Sequence, residues 1–215
     1  MKSLNRKIFF SILALTLASM ACATPDVSSL LNPMPSDDFS NSNGAWGTGT
    51  GTDSSVEIID GGLHINVFTP FYISWSQVDS SSYENTHMEV SVQNSSADPE
   101  AFFGFVCNEQ GSTNTFYYVG VSSDGYYAFY KSHVVGEDDI LKKGISDVIS
   151  SSPSSMRLGL DCKNGSMTLY VNGQVIDSVS DSDYPSGLIG LLVYNDDQQN
   201  GASVIFDDFV SSKIE

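Results

Sequence analysis

The sequence predicts an all-β fold of two antiparallel sheets packed face to face, and three observations carry the prediction. Two Asn-Gly pairs, Asn164-Gly165 and Asn172-Gly173, interrupt alternating apolar runs between Met156 and Asp181. Asn and Gly accept the positive φ angles that tight two-residue hairpins require. Short strand-like runs recur at spacings of about 8 to 12 residues along the chain, the rhythm of a sandwich. No long segment carries a helical period.

The central meander sets the requirement for a second sheet. Met156, Leu158, Leu160 and Cys162 fall on one face of its first strand. Met167, Leu169 and Val171 do so on the second, and Val175 and Val179 on the third. Three strands with one apolar face cannot stand alone, so the rest of the chain must cover them.

The other elements follow in order. Asp37-Asp38-Phe39 opens the domain, and glycines around Trp46 make an irregular loop. Val56 to Ile59 and Leu63 to Phe68 are strands joined at Asp60-Gly61-Gly62. Phe71 to Gln77, Met88 to Gln93, Ala101 to Cys107 and Thr115 to Val121 follow as strands. Ser123-Asp124-Gly125 turns the chain into Tyr126 to Val134, and Ile140 to Ile149 holds a short strand or a helical turn. After the meander, Gly187 to Tyr194 and Ser203 to Val210 close the domain.

The amino terminus reads as an export signal. Lys2, Arg6 and Lys7 precede the apolar run Ile8 to Met20, which ends at Ala21-Cys22-Ala23. That run is short for a membrane helix, which needs about 20 apolar residues. Cys22 after a small residue resembles the lipobox of bacterial lipoproteins, although Ser19 and Met20 depart from its usual residues. The expectation is a signal at 1–21 with Cys22 lipidated, a Pro- and Ser-containing tether at 22–36 and one domain at 37–215. Ordinary cleavage beside Cys22 is the alternative. The predicted address is the cell envelope or the outer face of a membrane, reached through a lipid anchor, and otherwise secretion.

Charge and cysteine count narrow the partners. The chain has 215 residues, with 9 basic and 26 acidic side chains and a net charge of −17. Such a chain repels phosphate backbones, so nucleic acid is a poor partner. Three cysteines leave one unpaired in an oxidising compartment. With Cys22 assigned to lipid, Cys107 and Cys162 remain, both core-facing near strand ends, and a disulfide between them is expected. Two separate buried thiols are the alternative.

At this point the chain resembles a known family. The residues are Asp37-Asp38-Phe39 with Trp46, Gly61-Gly62-Leu63, Gly104-Phe105-Val106-Cys107, Phe116-Tyr117-Tyr118-Val119 and Asp124-Gly125-Tyr126. Leu169-Tyr170-Val171-Asn172-Gly173, Gly187-Leu188-Ile189-Gly190-Leu191 and Phe206-Asp207-Asp208-Phe209 complete the set. Their order is similar to that of concanavalin A-like jelly rolls, laminin-G-like modules among them. Within these it is most similar to exported bacterial domains near the 3-keto-disaccharide hydrolases. The resemblance implies two curved antiparallel sheets, with ligand bound on a concave face or at the loop rim.

The chemistry is less specific than the fold. A glycosidase needs two carboxyls facing one sugar bond. The alternating acids of the family's glucanases, E-x-D-x-x-E, are missing from this sequence. His64, His87 and His133 match no zinc spacing. There is no G-x-S-x-G elbow and no phosphate-binding glycine loop. Structural calcium is the better ionic expectation. Alternation through Phe206-Asp207-Asp208-Phe209 places one aspartate on an apolar side, and adjacent first and last strands would bring Asp37 or Asp38 near Asp207. For glycan, Trp75, Tyr118 and Tyr130 are the candidate platform. Tyr118 and Tyr130 lie on facing strands of one hairpin, with Lys131 or Asn114 as rim donors. The expected function is a non-catalytic carbohydrate-binding or surface-recognition module. A glycoside-acting hydrolase with non-standard acids, or a structural, adhesive domain that binds protein, is the alternative.

Overall fold

The computed structural model describes residues 34–41, 45–150 and 155–215. The predicted signal, Cys22 and nearly all of the predicted tether lie outside the described residues. From Pro35 to Glu215 the chain forms one compact unit.

The strands are β1 (Ser36–Asp37), β2 (Gly49–Thr50), β3 (Ser54–Ile59), β4 (Gly62–Val67), β5 (Tyr72–Gln77), β6 (Thr86–Asn94), β7 (Phe102–Gln110) and β8 (Thr115–Ser122). They continue with β9 (Tyr126–Lys131), β10 (Asp139–Ile145), β11 (Ser155–Lys163), β12 (Ser166–Val171), β13 (Gln174–Ser180), β14 (Leu188–Asn195) and β15 (Ala202–Lys213). One short helix, α1 (Asp147–Ser150), follows β10. The 140–149 stretch therefore holds both a strand and a helical turn. All the pairings are antiparallel, as expected.

One sheet has nine strands in the order β13-β12-β11-β6-β15-β4-β3-β2, with β1 beside β15. The other has six, in the order β10-β9-β8-β7-β14-β5. Both predicted Asn-Gly turns form, with Asn164, Gly165, Asn172 and Gly173 all at positive φ. The meander β11-β12-β13 is as expected except at Val175. A bulge between Leu169 and Tyr170 pairs Val175 with outward-facing Tyr170, so Val175 stands 62% exposed.

The core lies between the sheets. Leu63, Ile65, Met88, Val90, Leu158, Leu160 and Phe206 of the larger sheet are fully buried. They meet Phe103, Phe105, Val119, Val121, Phe129, Leu191 and Val193 of the smaller. Each such side chain contributes about 1.5–3 kcal/mol on leaving water. Cys107 of β7 and Cys162 of β11 are bonded, with Cα atoms 6.7 Å apart, and so tie one sheet to the other.

Candidate functional site

The outer face of the six-stranded sheet is apolar, although among the described residues no second sheet covers it. Strand alternation sends Phe103, Phe105, Tyr117, Val119 and Phe129 inward. It sends Phe102, Val106, Phe116, Tyr118, Tyr126 and Tyr130 outward. Phe102, Val106, Phe116, Tyr118, Ala128 and Leu192 bury one another there, with Ile73, Trp75, Tyr126, Tyr130 and Tyr194 packed against them. The two-sided apolarity explains why β7 and β8 lack the in-out polarity of a sheet with one wet face.

A row of small side chains crosses this face. Leu192 pairs with Gly104, Gly104 with Gly120, and Gly120 with Ala128. A Cβ on Gly104 would run into the Val119 carbonyl, so no side chain is accommodated there. The low row lies between Phe102, Tyr126 and Tyr194 on one side and Tyr118 and Tyr130 on the other. These five rings line a cleft of about 350 Å³.

The rings hold one another in place. Tyr118 and Tyr130 are cross-strand partners and stack with centroids 4.6 Å apart and planes 6° from parallel. Phe102 meets Tyr130 edge-on at 5.8 Å, and Trp75 meets Phe116 at 5.2 Å. The hydroxyls are anchored as well. Tyr118 donates to Asp138 at 2.8 Å, Tyr126 and Tyr130 share a hydrogen bond of 3.0 Å, and Tyr194 donates to Asp196 at 3.3 Å. Burial, then the bond to Asp138, pushes the Tyr118 hydroxyl well above the ordinary phenol range. Burial, then the negative charge of Asp196, pushes Tyr194 up to about 12.

The predicted platform is thus partly assembled. Tyr118 and Tyr130 come together in the cleft, Tyr130 half-buried and Tyr118 only 8% exposed. Trp75 shares the face but packs against Phe116, outside the residues that line the cleft. Lys131 does not supply the rim. It has the opposite parity to Tyr130 and forms ion pairs with Asp181, at 3.3 Å, and with Asp183. Tyr117, on that same side, donates to Asp181.

Sequence reasoning missed the carboxylates. Glu100, Asp124 and Asp196 line one end of the cleft from the segments that flank β7, β8, β9 and β14. It also missed Glu109, which is 1% exposed. Asn108 at φ 55 lies in a bulge between Cys107 and Gln110, which breaks the strand's parity. Glu109 accepts from Gln77 Nε2 at 2.7 and 2.8 Å and from the Trp75 indole. Burial pushes its carboxyl above the usual range, against the opposing effect of these two hydrogen bonds.

The aspartates expected to hold calcium are arranged differently from the expectation. β1 does lie beside β15, with Asp37 opposite Phe209. Asp37, however, accepts from Phe39 N at 2.8 Å and from the Trp46 indole at 3.1 Å. A bulge between Asp207 and Val210, with Asp208 at φ 50, breaks the alternation that would have buried an aspartate. Asp207 is only half-buried, and it caps Asp208 N at 2.7 Å. Among the described residues no group of three or more His, Cys, Asp or Glu side chains could hold a metal ion.

The two sheets have the concanavalin A-like jelly-roll fold. Solved structures share it. The carbohydrate-binding module CBM66 from Bacillus subtilis superposes with a TM-score of 0.60 at 16% identity, over 79% of this chain and 96% of that one. The Bacillus licheniformis beta-glucanase does so with a TM-score of 0.61 at 14% identity, over 85% and 98%. A Bacillus subtilis protein of unknown function with a galectin-like fold gives 0.63 at 10% identity, over 83% and 94%. No protein-family model and no curated protein matches the chain. At these identities the likeness is one of fold.

Proposed function

We propose that this protein is an exported, lipid-anchored, non-catalytic module that binds glycan in the aromatic cleft of its six-stranded sheet. The observation that carries the reading is the cleft lined by the rings of Phe102, Tyr118, Tyr126, Tyr130 and Tyr194. Sugars present flat C–H faces that stack on aromatic rings, while their hydroxyls need a few polar partners. Tyrosines supply both from one side chain. Support for export and anchoring is the leader with Cys22 at its end. Support for a non-catalytic role is that the sequence lacks the alternating E-x-D-x-x-E acids of the glucanases it resembles. Glu100, Asp124 and Asp196 gather at one end of the cleft, and Glu109 is held by Gln77 and Trp75.

One observation favours hydrolysis as the second reading. Glu109 is a buried carboxylic acid whose affinity for its proton is raised, the property that a general acid needs. A glycan array of the purified protein separates the two, together with turnover assays on 3-keto-glycosides and glucans. Retained glycans without turnover are the expected result. Turnover that Glu109→Gln abolishes would overturn the non-catalytic reading, and a blank array would overturn the glycan reading.

A further inference from the structure

The polar end of the cleft has one sign of charge. Phe102, Tyr126, Tyr130 and Tyr194 surround a space to which Glu100, Asp124 and Asp196 contribute carboxylates. Among the described residues, no Lys, Arg or His lines it. Lys131, the basic residue on the neighbouring strand position, points to the other side of the sheet and is paired there. Asp138 adds a further carboxylate against the Tyr118 hydroxyl. Tyrosine faces attract cations through the ring quadrupole, and carboxylates at a partly enclosed mouth add to that attraction. The same field repels uronates, sulfated sugars and sialic acids. It acts in a chain of net charge −17, in which Lys143, opposite Ala128 on β10, is an exposed cation at the edge of the same face but does not line the cleft.

We infer that the cleft is selective for a cationic glycan, one whose sugars carry free amino groups. The inference rests on the glycan reading above and deepens it. A protonated 2-amino sugar would lay its apolar face on Tyr130 and Tyr126 while its ammonium meets Glu100 and Asp196. Neutral sugars would keep the stacking alone. The Asp124 carboxylate also accepts from Ser122 Oγ at 2.6 Å and from Tyr126 N at 3.2 Å, so it fixes the turn as well as facing the ligand.

The test is calorimetric titration of the purified protein, at a pH where the amines are protonated. The probes are a glucosamine tetramer, its fully N-acetylated form, cellotetraose and choline. The glucosamine tetramer should bind at least about tenfold more tightly than either neutral tetramer, a gap that added salt should narrow. A Glu100→Gln, Asp196→Asn variant should retain the melting temperature and lose the preference. Equal or tighter binding of a neutral tetramer would overturn the charge inference and leave the glycan reading standing. Choline binding without glucosamine binding would overturn the sugar part. If no probe binds, the amino-sugar inference fails, and the glycan reading then fails separately if the array is blank too.

Discussion

Reducing the Cys107–Cys162 bridge should lower stability by about 4 kcal/mol. The bond closes a loop of 55 residues, and chain-entropy arithmetic puts the cost of leaving such a loop open between about 3 and 4.7 kcal/mol. The bridge also joins β7 to β11, and therefore the two sheets, so both sides of the core feel its loss. Both sulfurs are buried, so a Cys107→Ala, Cys162→Ala variant avoids placing two hydroxyls in the core. For a domain of this size each kcal/mol shifts the melting temperature by about 2–4 °C, which gives a fall of about 8–16 °C. Differential scanning calorimetry of the oxidised protein, the reduced protein and the double variant measures it. Coincident melts of oxidised and reduced protein would refute the reasoning, as would two free thiols in protein recovered from an oxidising compartment.

Four further outcomes follow from charge, address and the expected ion. Burial opposes ionisation of Asp181, but hydrogen bonds from Tyr117, Asp183 N and Lys131 outweigh it and hold the carboxyl below its ordinary 3.8. Asp177 is held low chiefly by Lys142. Depressed carboxyls stabilise the fold above the unfolded value and lose that effect as pH falls through the folded one, so melting temperature should drop below about pH 4. At the alkaline end Tyr83, Tyr117 and Tyr194 are each raised from 10.0 to about 12. Raised phenols stabilise below pH 10 and lose the effect as pH climbs toward 12, so ultraviolet titration should show tyrosines ionising together with unfolding. Cys22→Ser should move the protein from the membrane fraction to the soluble one, whereas unchanged partitioning would indicate plain secretion. A rise in melting temperature on adding calcium, reversed by a chelator, would support Asp37 and Asp207 as ligands, and an unchanged melt would count against them.

The parts of the molecule legible in the sequence are those governed by local rules. Asn164-Gly165 and Asn172-Gly173 turned where their φ preferences require. Strict alternation placed Phe103 and Phe105 inside and stacked Tyr118 on Tyr130. It failed wherever a bulge intervened, since one extra residue reverses parity. Val175, Asp207 and Glu109 were each misjudged or overlooked beside such an irregularity. Asn108 and Asp208 carried a sequence cue, as residue types suited to positive φ. Glu100, Asp124 and Asp196 reach the cleft from separate segments that only the sheet order brings together, so no spacing along the chain could have grouped them.

The most direct measurement is glycan binding by Tyr130→Ala and Tyr126→Ala, read beside their thermal melts. Both rings are half-buried and line the cleft, so their loss should cost less than the 3–5 kcal/mol of a fully buried aromatic. The account predicts that each variant melts within a few degrees of the parent, at about 2–4 °C per kcal/mol, and no longer binds the glycan that the parent retains. Full binding by both folded variants would contradict it.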